Sequence, residues 1–206
     1  MKYVNLGMTG VKVSRICLGT MGFGNPNEWR LGINEARPIV KRALDLGINF
    51  IDTANVYTNG RSEEILGELL KDCREEVIIG SKVFYPIGEG PNEGGLSRIH
   101  ILQQIERSLK RLQTDYIDLY HTHRWDDTTP IEETLRTLDN LVHQGKVRYL
   151  GTSSMYAWQF AKALWTSDKH GLARFETMEN HYNLVYREEE REMIPFCQDQ
   201  KIWITP

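Results

Sequence analysis

The sequence predicts an α/β fold of the TIM-barrel class, an incomplete (β/α)8 barrel with an N-terminal β-hairpin and about six and a half β/α units. After the hairpin, seven apolar runs of strand length alternate with six amphipathic runs of helix length. Such alternation is typical of a parallel sheet with right-handed crossovers. A doubly wound open sheet is disfavoured, because the turn "LGTMGFGNP" lacks a complete G-x-G-x-x-G pattern. Gly22 and Gly24 fit that pattern, whereas Asn27 replaces its last glycine and no helix is predicted to begin there.

The predicted elements form a single domain over residues 1–206. The opening segment "YVNLGMTGVKVS" predicts the hairpin. The strands are predicted at "RICLGTM", "INFIDTAN", "EVIIGSKVF", "YIDLYHTH", "VRYLGTSS", "RFETMENH" and "KIWITP". The helices between them are predicted at "INEARPIVKRALDLG", "RSEEILGELLKD", "SRIHILQQIERSLKRL", "PIEETLRTLDNLVHQG", "AWQFAKALWTSDKHG" and "REEEREMIPFCQDQ". Ser62 is the predicted N-cap of the second helix, since a serine hydroxyl accepts a hydrogen bond from the first turn.

A complete barrel of this class typically needs about 250 residues, whereas this chain has 206. We therefore expect the last strands and helices to be absent and the seventh strand to be cut short. A barrel without those strands exposes sheet edges. The chain on its own is then expected to fold poorly, to associate with itself, or to be inactive.

The composition argues against several classes of partner. A net charge of −3 disfavours nucleic acid or an anionic membrane surface as the main partner. No run of about 18 apolar residues is present, so no membrane span is expected. The three cysteines are far apart and lack the spacing of a metal site. They are typical of reduced thiols in a cytoplasmic protein.

Polar side chains end three consecutive predicted strands: Asp52, Lys82 and His123. Active sites of parallel barrels lie at these strand ends, so we expect the three to be neighbours, with Tyr57 in the loop after Asp52. A phenol has a pKa near 10 and donates a proton near neutral pH only if a cation favours the phenolate. Lys82 can supply that cation and Asp52 can hold it charged, while His123 can hydrogen-bond a substrate oxygen. The set suits protonation of an alkoxide as a carbonyl is reduced, with hydride from elsewhere.

Two other interpretations remain open at this point. Asp52 and Lys82 could be a purely structural buried ion pair. His121 and His123 share one face of their strand and, with Asp126 or Asp127, could bind zinc as in metal-dependent hydrolases. No metal is expected in the preferred interpretation, because Lys82 is the natural partner of Asp52.

Several long segments resemble the aldo-keto reductase superfamily. "GINFIDTANVYTNGRSEEILGELL" is similar to its D-T-A-x-x-Y signature, and "IIGSKVF" to its lysine strand. "HYNLVYREEEREMIPFC" resembles the branch related to bacterial reductases and potassium-channel β subunits. The resemblance implies NADPH-dependent reduction of aldehydes and ketones, with a small carbonyl compound as substrate. It also implies Tyr57 as general acid, tuned by Asp52 and Lys82, and His123 as the group that orients the carbonyl.

The same resemblance implies NADPH bound in an extended form, with one set of residues around its nicotinamide end. These cofactor-binding residues would be Gly19, Thr20, Met21, Asp52, Ser153, Ser154 and Glu179. Because channel β subunits belong to the resembling branch, a non-catalytic, nucleotide-sensing auxiliary module is the alternative function, and an inactive fragment of the same fold is another. Substrate identity is not encoded in any motif of the chain.

Glu179 stands where the resembling family has glutamine. An amide donates and accepts hydrogen bonds, whereas an ionised carboxylate only accepts. Its negative charge would also favour the cationic, oxidised nicotinamide over the neutral, reduced ring.

We therefore predict that a Glu179→Gln variant binds NADPH more tightly than the parent chain. Fluorescence titration of both proteins with NADPH measures the two dissociation constants. An equal or weaker affinity of the variant would refute this role of the carboxylate.

Overall fold

The computed structural model describes residues 1–26 and 29–206. Asn27, which the sequence analysis used against a doubly wound sheet, lies outside these residues. The strands are β1 (Tyr3–Asn5), β2 (Lys12–Ser14), β3 (Cys17–Gly19), β4 (Phe50–Asp52), β5 (Ile78–Val83), β6 (Ile117–Thr122), β7 (Val147–Ser153), β8 (Phe175–Glu179) and β9 (Trp203–Thr205). The α-helices are α1 (Ile33–Asp45), α2 (Arg61–Leu70), α3 (Arg98–Leu112), α4 (Ile131–His143), α5 (Ala157–His170) and α6 (Met193–Asp199).

The strands form the incomplete parallel barrel that the sequence predicts. β3 to β9 make one seven-stranded sheet in which each strand pairs, in parallel, with the next strand of the chain. A helix lies between each successive pair of strands. β3 and β9 are the two edges of this sheet.

The hairpin of β1 and β2 closes the N-terminal ends of the strands. Leu6 and Val13 from the hairpin pack against Phe50 of β4 and Leu119 of β6, and all four are buried. The main core lies between the sheet and the helices. The opposite end of the barrel, where the strands finish, stays open. None of the described helices has the length and apolar character needed to cross a membrane.

Ser62 is not the N-cap of α2, contrary to the sequence prediction. The cap is Gly60, with φ of +89°, and no side chain caps the helix. Ser62 lies in the first turn, fully buried, where its hydroxyl donates to the carbonyl of Thr20 at 2.9 Å and contacts the hydroxyl of Thr53 at 2.9 Å. Burial against β3 and β4 thus directs this hydroxyl to the strands and away from the helix amides.

The last predicted helix is shorter than the sequence suggests. Glu188–Glu190 form a 3-10 turn, and α6 begins only at Met193. Pro195 explains the difference, because it has no N–H to donate to the carbonyl of Arg191 in a continuous helix. It is tolerated where it stands, in the first turn of α6.

Helices α2 and α3 approach each other closely at Gly67. A Cβ atom on Gly67 would lie 2.3 Å from the carbonyl oxygen of Arg111. Beside this contact, buried Glu63 of α2 accepts hydrogen bonds from Arg111 Nε at 2.7 Å and from Ser81 Oγ at 2.6 Å. Because strand side chains alternate, this outward anchor on Ser81 directs the next residue, Lys82, into the barrel.

We predict that Gly67→Ala lowers the free energy of unfolding by about 3 kcal/mol, because the added methyl meets backbone that cannot move away. Urea unfolding measures this change. Gly10→Ala is the matched control, since nothing lies within 4 Å of its Cβ position, and it should change stability by less than about 0.5 kcal/mol. Equal effects of the two substitutions would contradict close helix packing at Gly67.

Candidate active site

The centre of the open end is the ammonium group of Lys82. Its side chain comes from β5 and is fully buried. Nζ lies 2.5 Å from Asp52 Oδ2, 3.2 Å from the carbonyl oxygen of Thr53 and 3.3 Å from Tyr57 Oη. The structure therefore brings together Asp52 and Lys82, which the sequence places at successive strand ends, and Tyr57, which it places in the loop after Asp52.

The register of the strands positions Asp52 beside Lys82. Asp52 ends β4 and lies opposite Gly19 of β3 and Gly80 of β5. A Cβ atom on Gly80 would stand 3.4 Å from Asp52 Oδ1, so the missing side chain leaves space for this carboxylate. Lys82 is two residues further along β5 and points to the same face of the strand.

Tyr57 is presented by an unusual backbone segment. Thr58, Asn59 and Gly60, which follow it, have φ of +49°, +52° and +89°. Left-handed backbone is costly for a β-branched residue such as Thr58. The Thr58 hydroxyl donates to the carbonyl of Phe23 at 3.1 Å and so holds this turn in place. The turn aims the phenol at Lys82.

His123 lies beside the phenol, whereas His121 is buried inside the barrel close to Asp52 and Glu179. The His123 ring makes edge contacts with Tyr57 and Tyr85, with ring centroids 5.9 and 4.9 Å apart. Burial, and then the positive charges of Lys82 and Arg124, lower the pKa of His123 to about 3. A neutral imidazole has one N–H to donate. His121 Nε2 instead lies 3.2 Å from the hydroxyl of Thr177 inside the barrel.

A cavity of about 540 Å³ opens above this group. Tyr57 and His123 line it, together with four of the predicted cofactor residues: Met21, Ser153, Ser154 and Glu179. The other three, Gly19, Thr20 and Asp52, do not line it. The Thr20 hydroxyl donates to the carbonyl of Asp52 at 2.8 Å and is buried away from the opening.

The cavity wall also contains residues to which the sequence analysis assigned no role, namely Trp29, Arg30, Tyr85, Asn180 and His181. Tyr85 and Asn180 follow closely after strand ends, so strand position could have revealed them. Trp29 and Arg30 come from an irregular segment, and no pattern points to them.

Comparison with known proteins decides the family. The family model described as "Aldo/keto reductase family" matches residues 15–206. The chain belongs to the aldo/keto reductase family. The resemblance seen in the sequence is thereby confirmed.

Three relatives are similar to nearly the whole of this chain. Aldo-keto reductase AMT2 of Alternaria alternata is 41% identical over 232 residues, covering 99% of this chain and 63% of the relative. Versiconal hemiacetal acetate reductase of Aspergillus parasiticus is 42% identical over 228 residues, with 100% and 66% covered. Putative aryl-alcohol dehydrogenase AAD16 of Saccharomyces cerevisiae is 39% identical over 229 residues, with 100% and 66% covered. The chain thus spans about two thirds of the length of these relatives.

The net shift of the Tyr57 pKa is upward, which corrects the sequence-based expectation. Burial raises the pKa of this phenol most, Lys82 lowers it, and the carboxylates of Asp52 and Glu179 raise it. The cation expected from the sequence is present, but burial outweighs it. The phenol therefore stays protonated at neutral pH.

Glu179 is a second carboxylate on the same ammonium. Its Oε2 lies 3.4 Å from Lys82 Nζ. Burial and the negative charge of Asp52 raise the pKa of Glu179 to about 7, against the opposing effect of Lys82. Both protonation states of Glu179 are therefore accessible around neutral pH, whereas the sequence analysis treated it as fully ionised. The pKa of Lys82 itself is raised although burial opposes its charge, because Asp52, Glu179 and Tyr57 all favour the ammonium.

The zinc site considered from the sequence is not assembled. Asp126 turns into its own loop, where it accepts hydrogen bonds from the Leu96 amide and the Thr128 and Thr129 hydroxyls. Asp127 accepts from Trp125 Nε1. Among the residues that the structure describes, Asp52, His121 and Glu179 are the only group of three or more histidine, cysteine or acidic side chains whose possible ligand atoms all lie within 4.8 Å of one another. The cation that lies among them is the ammonium of Lys82.

We predict that His123 stays neutral as pH falls through the ordinary histidine range near 6.5, because burial disfavours the charged ring and protonation would place a second positive charge beside Lys82. Long-range ¹H–¹⁵N correlation spectra of the ring report its protonation state. A His123→Phe variant identifies the signal. A titration midpoint of His123 near 6.5 would contradict this account, in which burial and the charge of Lys82 both oppose protonation of the ring.

Proposed function

We propose that this chain reduces aldehydes and ketones to alcohols with NADPH, with Tyr57 as the proton donor. One contact carries the proposal: Tyr57 Oη lies 3.3 Å from the ammonium of buried Lys82. Tyr57 also lines an open cavity, where a substrate can reach it. Lys82 is in turn held by Asp52 at 2.5 Å. The names of the relatives, reductases and aryl-alcohol dehydrogenases, support interconversion of carbonyl and alcohol groups.

The chemistry follows from the charges of these residues. The protonated phenol of Tyr57 donates its proton to the substrate oxygen as negative charge develops there. Lys82 stabilises the phenolate that remains, because its ammonium stays within hydrogen-bonding distance. His123, neutral and at the cavity wall, donates a hydrogen bond to the carbonyl oxygen and so orients it. Asp52 keeps the ammonium in place and does not touch the substrate.

The cavity residues fit the nicotinamide end of a dinucleotide. Ser153 and Ser154 offer hydroxyl groups, 3.1 Å apart, that suit a carboxamide, and Met21 offers an apolar surface beside them. When bound, NADPH would supply the hydride. Gly19 and Thr20, which the cavity does not include, stay predicted contacts of the ribose. The preference for NADPH over NADH is part of the proposal.

The remaining assignments are proposals of the same kind. A small carbonyl compound is the proposed substrate, and neither nucleic acid nor a membrane is a proposed partner. β3 and β9 are the proposed surfaces for self-association, because unpaired strand edges recruit other strands. The cytoplasm is the proposed location.

Tyr57→Phe is expected to slow reduction of a generic aromatic aldehyde at least about 100-fold, because the ring remains but the donated proton is lost. NADPH oxidation measured at saturating aldehyde gives the rate. NADPH affinity, measured by fluorescence, should change less than about twofold. Tyr116→Phe serves as the control and should keep parental activity, because Tyr116 precedes the first residue of β6 and so lies at the end of the strand away from the cavity.

The same assays of NADPH binding and turnover, applied to the parent chain and to Tyr57→Phe, distinguish the alternative functions. Turnover that survives in Tyr57→Phe would exclude Tyr57 as the donor. Binding of NADPH without turnover by the parent chain would favour the nucleotide-sensing module. Neither binding nor turnover would indicate an inactive fragment of the fold.

A further inference from the structure

The ammonium of Lys82 has more acceptors than it can satisfy. An ammonium carries three N–H bonds. Four oxygens surround it: Asp52 Oδ2 at 2.5 Å, the Thr53 carbonyl at 3.2 Å, Tyr57 Oη at 3.3 Å and Glu179 Oε2 at 3.4 Å. The first two belong to the end of β4 and the residue after it. Tyr57 and Glu179 therefore compete for what remains of the lysine's hydrogen-bonding capacity.

Glu179 is held in this position by its backbone. It ends β8 opposite Ser153 of β7 and Thr205 of β9, and its carbonyl accepts a hydrogen bond from the Ser154 amide at 3.0 Å. Its side chain is 28% exposed and lines the cavity that holds Tyr57. A substitution at this position therefore changes the charge beside Lys82 and leaves the strand in place.

Glu179 faces acids, bases and neutral groups from several elements. Within residues 1–26 and 29–206, the titratable and charged groups around it are Cys17, Asp52, Tyr57, Lys82, His121, His123 and Arg124. The same cavity is also lined by Arg30, Tyr85 and His181. Lys82 is its only direct ion-pair partner among these residues. Asp52 opposes its ionisation and Lys82 favours it.

We propose that Glu179 is a positioning residue for proton donation, whose ionised carboxylate draws the ammonium of Lys82 away from Tyr57 and whose protonated form releases it to Tyr57. The inference deepens the proposed function and rests on it for its catalytic consequence. Reduction is then fastest when Glu179 is protonated, because the phenol is the stronger acid in that state.

Electrostatics support this direction of the effect. An ionised carboxylate opposes formation of a phenolate in the same low-dielectric site, and Glu179 raises the pKa of Tyr57 accordingly. The pKa of Glu179, about 7, places the change of state at neutral pH. Burial raises the pKa of Asp52 as well, but the two carboxylates differ in position. Asp52 Oδ2 lies 2.5 Å from Lys82 Nζ, whereas Glu179 Oε2 lies 3.4 Å away and Glu179 lines the cavity. The weaker and more accessible contact is therefore the one assigned this role.

The first test needs neither cofactor nor substrate. In the whole chain labelled with ¹³C at tyrosine Cζ, the Tyr57 signal is assigned by its loss in Tyr57→Phe, and its titration gives the phenol pKa. Glu179→Gln should lower that pKa by about one unit, since a neutral amide no longer opposes the phenolate. Glu188→Gln, which removes the same charge from a neighbouring exposed turn, should leave it unchanged.

Glu179→Asp is a second variant that keeps the charge but withdraws it by one methylene. It should give a smaller decrease of the same pKa, and it tests the proposal even if Glu179→Gln does not fold. No decrease in any folded variant at position 179, or an equal decrease in Glu188→Gln, would overturn the competition between Glu179 and Tyr57.

The second test concerns the reaction itself. In the parent chain, kcat/KM for aldehyde reduction should fall about tenfold as pH rises through neutrality, and Glu179→Gln should lose this decline. A merely structural role of Glu179 would lower activity at every pH. A decline that persists in Glu179→Gln would overturn the proposal. If the chain shows no turnover but Glu179→Gln still lowers the Tyr57 pKa, only the proposed function is refuted.

Discussion

The buried charge of Lys82 determines how the open end of this barrel is arranged. Removing an ammonium from water costs several kcal/mol unless it is paired and hydrogen-bonded. Asp52, the Thr53 carbonyl and Tyr57 supply those partners. Strand register brings the first two, and a left-handed turn brings the third. The proton donor is therefore positioned by the same contacts that make the buried charge tolerable.

A shell of hydrogen bonds behind the strands supports this arrangement. Ser81 is anchored outward on Glu63, which also binds Arg111, and this anchor directs Lys82 inward. Ser62 connects α2 to the strand ends through Thr20. These contacts lie outside the cavity, yet they help to determine how deeply the Lys82 ammonium is buried where it contacts Asp52, Thr53 and Tyr57. Depth matters because burial decides the direction of the phenol's pKa shift.

The fold could be read from the sequence because buried parallel strands alternate with amphipathic helices, and because strand ends of one barrel converge. That geometry also placed Asp52, Lys82 and His123 together. The sequence did not predict how deeply each side chain is buried or in which direction it points. A serine in a first helical turn fits both an N-cap and a buried contact, so Ser62 was assigned wrongly. The distance from Glu179 to Lys82 depends on how far the sheet curls, which no local pattern reports.

The sequential order of the strands has a consequence for biosynthesis. Each strand from β4 to β9 pairs with the strand made just before it, so the newest strand is always the growing edge of the sheet. Its hydrogen-bonding partner is therefore already available when it leaves the ribosome. Lys82 finds Asp52 one β/α unit after that aspartate is made, whereas Glu179 arrives three units later. The nascent chain can thus neutralise its buried lysine long before the competing acid is synthesised.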